Sequence, residues 1–191
     1  DYLLVDLPGT YSLMAHSAEE EVARDFLCFG GADGAVVVCD ATCLERNLNL
    51  VLQTLEITPR TVVCVNLMDE ARSKGIEVDT AELSRLLGVP VVAAAAGRNE
   101  GLEQLMEAVA DMAAEEEAPH TFRPGYPSAV ERALARLEPV LARRLEGRLP
   151  ARWTALRLLD QDPSLLCALE KFLEIDLMED PEVRIALLEA Q

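Results

Sequence analysis

The sequence has 191 residues, half of them hydrophobic, and its 34 Asp and Glu residues outnumber 17 Lys and Arg to give a net charge of −17. This length supports one full core with a smaller appended unit, since a domain takes about 100–200 residues. The acidity argues against nucleic acid and anionic membranes as partners, because both bind clustered cations. Most of the acids recur at helical spacing, which is typical of solvated helix faces.

Four short apolar runs along the first part of the chain predict strands buried on both faces. They are LLVD (Leu3–Asp6), GAVVVCD (Gly34–Asp40), TVVCVN (Thr61–Asn66) and PVVAAAA (Pro90–Ala96). Amphipathic helices are predicted between them, and two of these begin with the capping-box pattern, at residues 17–20 and 79–82. The alternation predicts right-handed βαβ units in a doubly wound, mostly parallel α/β sheet, in which ligands bind beyond the carboxyl ends of the strands.

The composition changes across residues 113–127, where three prolines, a glycine and an acidic run follow one another. Beyond this stretch the β-branched runs stop, and leucines recur every three or four residues. Such stripes are typical of helix cores. We therefore predict that the α/β domain covers residues 1–117 and that a small all-α helical domain covers residues 118–191.

Cysteine, histidine and hydropathy patterns indicate neither a disulfide framework nor a metal centre. The five cysteines are odd in number, form no C-x-x-C pair and mostly lie in apolar runs, so we expect reduced, buried thiols. The two histidines, His16 and His120, are expected at the polar surface rather than as metal ligands. No apolar run approaches the ~20 residues that span a bilayer, so this segment is not expected to insert into a membrane.

Polar or small residues follow three of the predicted strands. Asp6 precedes Gly9 in D-x-x-G, a pattern in which the carboxylate can hold a Mg²⁺-bound water and the glycine amide can approach a phosphate. Asn66 precedes Asp69 in N-x-x-D, where a carboxylate can accept two hydrogen bonds from the edge of a guanine. At the end of the last predicted strand, residues 94–97 have side chains small enough for a backbone amide to reach a ligand. Each pattern alone also fits an ordinary turn, but their order along successive strands favours a GTP-binding fold.

These stretches closely resemble the cytosolic G domain of the ferrous iron transport protein B family. The similar segments are VDLPGTYSL, VARDFL, DATCLERNLNLVLQTLE, NLMDEARSKGIEVD and LGVPVVAAAAGRNEGLEQL. The later stretch LPARWTALRLLDQD resembles the helical domain that follows the G domain in that family and precedes its membrane helices. The resemblance covers essentially the whole sequence and implies a Ras-like fold that binds GTP and GDP with Mg²⁺.

The resemblance also implies roles for individual residues. Asp6 would hold the magnesium shell through water, and Gly9 would give its amide to the γ-phosphate, with switch II beginning at residues 10–14. Asp69 would bind the guanine edge and Asn66 would tie the base loop to its neighbours. Ala95 and Ala96 would lie in the last base loop, with the amide of Ala96 donated to the guanine carbonyl oxygen.

Four positions depart from common patterns. Most Ras-like GTPases have a lysine at the position of Leu67, and the stem of that lysine covers the base. The N-L-M-D of this chain is similar to the N-M-M-D that is usual in the ferrous iron transport protein B family. Ala95 replaces the family's usual serine, and Asn99 replaces the glycine after its basic residue, which puts the path of that loop in question. Thr10 follows Gly9, so the glutamine that orients water in many GTPases is absent. We therefore expect slow intrinsic hydrolysis and assign no catalytic residue.

The sequence contains no G-x-x-x-x-G-K-[ST] phosphate loop. In the family's sheet the strand before that loop lies centrally, between the two strands predicted at Leu3–Asp6 and Gly34–Asp40. Its absence would leave unpaired ladder groups on both. We therefore expect an incomplete sheet in which the first strand is missing, and a chain that is part of a longer protein with a membrane region.

Two functions remain open from the sequence. In the first, the native protein is a GTP-hydrolysing module at the cytoplasmic face of a bacterial inner membrane, coupling nucleotide state to Fe²⁺ uptake through the membrane-embedded part of the same polypeptide. In the second, the chain is a nucleotide-free docking module derived from a G domain. A ribosome-assembly GTPase is a weaker alternative, because it would usually carry a lysine at position 67 and a basic appendage.

Overall fold

A computed structural model describes residues 2–14, 17–115 and 119–190. The chain divides into two compact units, Asp1–Arg123 and Pro124–Gln191. The domain boundary predicted between residues 117 and 118 lies outside the described residues, as does His16. No helix in the described ranges is both long and apolar enough to cross a membrane.

The first unit is a parallel three-stranded sheet with helices between its strands. Its elements are α1 (Ala18–Phe29), β1 (Ala35–Asp40), α2 (Leu44–Ile57), β2 (Thr61–Asn66), α3 (Met68–Ser73), α4 (Thr80–Leu87), β3 (Val91–Ala93) and α5 (Leu102–Ala114). Short 3₁₀ turns lie at Ala41–Cys43 and Ala96–Arg98. The strand order is β1-β2-β3, and both pairings are parallel. The predicted α/β class and parallel sheet are thus confirmed.

Two helices begin as their capping boxes predict. The Ser17 hydroxyl accepts a hydrogen bond from the backbone N–H of Glu20 at 3.2 Å, and the Asp79 carboxylate accepts one from the N–H of Glu82 at 2.9 Å. Each contact satisfies a donor that the first turn of a helix leaves without an intrahelical partner. These caps fix the starts of α1 and α4.

Only β2 has both faces buried. Val62, Val63 and Val65 have no exposed surface, because α2 covers one face of this strand and α5 the other. On β1, by contrast, Val36 is 36% exposed and Val38 is 60% exposed. The prediction of burial on both faces is wrong for β1, since among the described residues no strand pairs with its outer edge and one of its faces has no cover.

The first predicted strand does not form. Residues 2–10 have no regular secondary structure, and Leu3 and Leu4 are 91% and 86% exposed. A strand is stable only when its backbone groups pair with a neighbouring strand, and residues 3–6 have no such partner in the described chain. The sequence prediction of a strand at Leu3–Asp6 is therefore wrong for this chain.

The segment that follows is attached to α2. The side-chain carbonyl of Gln53 accepts hydrogen bonds from the backbone N–H of Leu13 at 2.6 Å and from the Ser12 hydroxyl at 3.2 Å. The guanidinium of Arg46 lies 4.0 Å from the centre of the Tyr11 ring, within the range of a cation–π contact. Residues 11–13 therefore have a defined position although residues 2–10 do not join the sheet.

The second unit is helical, as predicted. It contains α6 (Ser128–Leu145), α7 (Ala151–Asp160), α8 (Pro163–Leu173) and α9 (Pro181–Ala190). Four leucines of α6 have no exposed surface: Leu134, Leu137, Leu141 and Leu145. Arg152 of α7 donates to Glu131 at 2.7 Å and to Glu138 at 2.9 Å, so an ion-pair cluster joins α7 to α6 beside this core.

None of the five cysteines forms a disulfide, but they are not all buried as predicted. Cys39 and Cys64 lie in strands and are buried, whereas Cys43 and Cys167 are exposed. Cys43 follows the end of β1 in a 3₁₀ turn, and Cys167 lies on the outer side of α8, so neither belongs to the apolar stripe that its neighbours form. Burial, with smaller contributions from Cys64 and Cys43, raises the pKa of the Cys39 thiol to about 12.

We predict that Cys39 and Cys64 stay unmodified when the folded chain is treated with a thiol reagent at pH 8, and that Cys167 reacts. A raised pKa leaves almost no reactive thiolate at this pH, and burial excludes the reagent. Peptide mass mapping after modification, with and without denaturant, measures this. Modification of Cys39 in the folded protein at the rate of Cys167 would contradict the sheet described here.

Candidate functional site

The carboxyl ends of the three strands meet at one edge of the sheet, where parallel α/β proteins bind their ligands. Asp40 ends β1 and is paired in register with Asn66, which ends β2. β3 lies on the other side of β2 and ends at Ala93. The loops that leave β2 and β3 are therefore neighbours, and they contain four of the six predicted site residues.

The turn after β2 presents Asp69 at this edge. Leu67 adopts a left-handed backbone conformation, φ 61°, between the strand and α3. This conformation is unfavourable for a residue with a side chain, and such strain concentrates at functional sites. The turn directs Met68 into the core, where it is buried, and leaves the side chain of Asp69 22% exposed in the first turn of α3.

The loop after β3 is compact and depends on residues that tolerate a left-handed backbone. Asn99 has φ 59° and Gly101 has φ 80°. Asparagine adopts this conformation more readily than most residues, which explains how Asn99 replaces the glycine expected at its position. Ala94 and Ala95 are buried, whereas Ala96 is exposed at the surface of the loop.

Polar contacts join the two loops. The amide side chain of Asn66 accepts a hydrogen bond from the backbone N–H of Ala96 at 3.0 Å. The backbone N–H of Met68 donates to the carbonyl of Ala94 at 3.1 Å. The Arg98 guanidinium forms an ion pair with the Asp69 carboxylate, with 2.9 Å between Nε and Oδ2. These contacts bring Asn66, Asp69, Ala95 and Ala96 together into one site.

Asp6 and Gly9 are not part of this cluster. Both are exposed and lie in the irregular segment at residues 2–10. None of the hydrogen bonds of the described residues links either of them to the loops after β2 and β3. The structure thus assembles the predicted base-recognition residues and leaves the two predicted phosphate and magnesium residues outside the sheet.

Sequence reasoning missed Arg98. It noted a basic residue in the last loop but gave it no role, because the partner of an exposed arginine depends on how two separate loops meet. The available signal was its place two residues after Ala96, beyond the strand that neighbours the N-x-x-D loop. Asp40 was also not singled out; its carboxylate accepts from the N–H of Thr42 at 2.7 Å, a contact that lowers its pKa and caps the 3₁₀ turn.

The loops after β2 and β3 suit a planar ligand that has both hydrogen-bond donors and a hydrogen-bond acceptor. Asp69 supplies two acceptor oxygens, and the exposed backbone of Ala96 supplies a donor. Small side chains at positions 94–97 leave the backbone accessible. Among the described residues no group of three or more His, Cys, Asp or Glu side chains is placed to hold a metal ion.

Comparison with known protein families agrees with this geometry. The family model of ferrous iron transport protein B matches residues 1–109, and the model of the FeoB cytosolic helical domain matches residues 126–190. The chain belongs to the ferrous iron transport protein B family. Its first unit is thus a FeoB G domain in fold, and its second unit is the FeoB cytosolic helical domain.

Individual FeoB proteins are similar over the G domain. The Fe(2+) transporter FeoB of Campylobacter jejuni is 41% identical over 109 residues, which is 57% of this chain and 18% of that protein. The FeoB of Salmonella typhimurium is 42% identical over 110 residues, 56% of this chain and 14% of that protein. The matched part therefore spans less than a fifth of the length of these relatives.

Solved FeoB structures cover nearly the whole chain. The T. maritima FeoB cytosolic domain in its GMPPNP form has 31% identity and a TM-score of 0.77, covering 97% of this chain and 74% of that one. The mGMPPNP-bound cytosolic domain from S. thermophilus has 32% identity and the same TM-score, covering 97% of this chain and 67% of that one. The first of these proteins is in its GMPPNP form, and the second, NFeoB, is bound to mGMPPNP.

Gly101 supplies a test of how the loop after β3 is built. A Cβ added there would lie 2.1 Å from the carbonyl oxygen of Ala93, a backbone atom that cannot move aside, and the φ of 80° adds strain. We predict that Gly101→Ala lowers the free energy of unfolding by about 2 kcal/mol or more. Gly97→Ala is the matched control, since a Cβ at Gly97 meets no atom within 4 Å, and we expect a change within about 0.5 kcal/mol.

Urea unfolding followed by circular dichroism measures both variants. Equal stability of the two would show that the loop after β3 does not pass as closely over the strand as described.

Proposed function

We propose that this chain is the guanine-nucleotide-binding part of a bacterial Fe²⁺ transporter, and that it recognises the base through Asp69, Asn66 and Ala96. The proposal rests on the contacts between the two loops, which place the largely buried Asp69 carboxylate near the backbone N–H of Ala96, itself bonded to Asn66, at the carboxyl edge of the sheet. The guanine edge offers two N–H donors and one carbonyl oxygen, which match these groups.

Selectivity for guanine follows from the same groups. Adenine presents an acceptor and an amino group where guanine presents N1–H and a carbonyl oxygen. With adenine bound, Asp69 would face a ring nitrogen acceptor, and two acceptors would lie unpaired against one another. A site that is built for hydrogen-bond donors rejects a ligand without them strongly, because its own polar groups are left without partners.

We also propose that Asp6 and Gly9 contribute to binding of magnesium and the phosphates. Asp6 supplies one carboxylate that could hold a Mg²⁺-bound water, and Gly9 an amide without a side chain in the way. Mg²⁺ in nucleotide sites is held mainly by phosphate oxygens, water and one or two carboxylates, so a single Asp is compatible with it. Thr10 follows Gly9, and we propose that intrinsic GTP hydrolysis is slow because no glutamine orients the water there.

The whole protein would couple nucleotide state to Fe²⁺ uptake at the cytoplasmic face of the inner membrane. The contacts between the Leu13 region and α2 give the start of switch II a defined attachment, through Gln53. A change in that segment on GTP hydrolysis could thus be transmitted to α2 and onward to the membrane-embedded part of the polypeptide.

We predict that Asp69→Asn weakens GDP binding at least about tenfold and strengthens binding of xanthosine diphosphate. Xanthine has a carbonyl oxygen at C2 where guanine has an amino group. The asparagine amide can donate to this oxygen while its carbonyl accepts from N1–H. Competition against a fluorescent GDP analogue, in the longest form of the protein that the gene encodes, measures both constants.

Glu70→Gln is the matched control for this variant. Glu70 is adjacent to Asp69 and carries the same charge, but it pairs with Lys74 on the outer side of α3. We expect its nucleotide affinities to be unchanged. Loss of GDP affinity in both variants would contradict a specific role for Asp69, and no nucleotide binding at all would favour the docking-module alternative.

Coupling to transport is tested with the same substitution. In vesicles that contain the full-length protein, the Asp69→Asn variant should take up Fe²⁺ with xanthosine triphosphate and not with GTP, the reverse of the unmodified protein. Uptake that is identical with either nucleotide, or without one, would contradict the proposed coupling while leaving base recognition intact.

A further inference from the structure

Arg98 contacts the carboxylate that the proposed function assigns to guanine. Its Nε lies 2.9 Å from Oδ2 of Asp69, and it reaches this position from the neighbouring loop. The arginine side chain is 64% exposed, so no packing holds it there, whereas Asp69 is mostly shielded from water. The contact therefore depends on the attraction between the two groups. The inference below rests on the proposed guanine site.

The guanidinium of arginine and the recognised edge of guanine are chemically alike. In guanine, N1, C2 and the C2 amino group form a guanidine fragment with N–H donors directed to the same side. Arginine presents N–H donors in the same planar, forked arrangement, which matches a carboxylate. Arg98 thus supplies to Asp69 the same kind of donor that the base would supply.

The second base contact is also paired within the chain. The N–H of Ala96, the predicted donor to the guanine carbonyl oxygen, is donated to the side-chain oxygen of Asn66 at 3.0 Å. In the absence of a base, one donor and one acceptor of the site are therefore each satisfied by a residue of the two loops. A base that enters must exchange both contacts.

We propose that Arg98 competes with the base for Asp69: it occupies the carboxylate when no base is bound, and guanine binds by exchanging its own N–H donors for those of Arg98. Arg98 returns to the carboxylate as the base leaves, so that Asp69 is never left without a donor. Adenine has no pair of N–H donors to offer Asp69, so its binding does not draw the carboxylate away from Arg98 and does not involve this exchange.

The size of the effect follows from the exposure of the pair. Exposed ion pairs are weak, so removal of Arg98 should strengthen guanosine binding only about two- to fivefold. Guanosine is the probe because it is uncharged and lacks phosphates, so that its affinity reports the base contacts alone. Both loops that contact the base are within the 191-residue chain, which is the protein to be used.

The test compares Arg98→Met with Arg72→Met. Arg98→Met removes every N–H but keeps an apolar stem that could still cover a base. Arg72 is the matched control, because it joins α3 to the loop after β3, through Glu100 at 3.4 Å, but does not contact Asp69. Ligand-observed NMR titration gives dissociation constants for guanosine and adenosine with each protein. We expect tighter guanosine binding for Arg98→Met alone and no gain for adenosine.

Ionic strength gives a second readout. Salt screens an exposed ion pair. A higher salt concentration should therefore strengthen guanosine binding to the unmodified chain and leave the guanosine affinity of Arg98→Met unchanged. A merely structural role of Arg98 would not produce this difference.

The outcomes are distinguishable. Weaker guanosine binding by Arg98→Met would overturn the inference, since Arg98 would then hold the base. Equal gains for adenosine and guanosine, or the same gain in Arg72→Met, would also overturn it, because a looser loop would be the cause. If guanosine binds neither the unmodified chain nor any variant, the proposed function itself is contradicted, and so is this inference, which depends on it.

Discussion

The hydrogen bond between the side chain of Asn66 and the backbone of Ala96 is the contact on which the site depends. The two residues are 30 positions apart, and only the parallel pairing of β2 with β3 brings them together. The bond fixes one loop against the other at a sheet edge, where backbone groups are otherwise free to move. Asp69 and Arg98 can meet because this contact holds both of their loops in place.

The site is formed by groups that satisfy each other. An isolated half-buried carboxylate is costly, and Arg98 offsets that cost for Asp69. The left-handed backbone conformation of Leu67 adds conformational strain beside Asp69. In our proposal, a base enters this site by exchanging these internal contacts for its own donors and acceptors.

Local patterns in the sequence predicted most of the fold. The β2 strand agrees residue for residue, because a continuous β-branched run buried on both faces has one stable arrangement. The caps at Ser17 and Asp79 depend on neighbours three residues away and were predicted for the same reason. The strand expected at Leu3–Asp6 is absent because a strand needs a partner, which its own sequence does not supply. Arg98 was missed since its partner lies in another loop.

We propose that one site, formed by the loops after β2 and β3, recognises guanine. The most direct measurement is a titration of the ¹⁵N-labelled chain with guanosine and, separately, with adenosine, followed through the backbone amide of Ala96 and the side-chain Nε–H of Arg98. We expect that guanosine shifts both resonances together, as each group changes its partner, and that adenosine shifts neither. Guanosine shifts confined to residues away from these loops, or equal shifts with the two nucleosides, would contradict it.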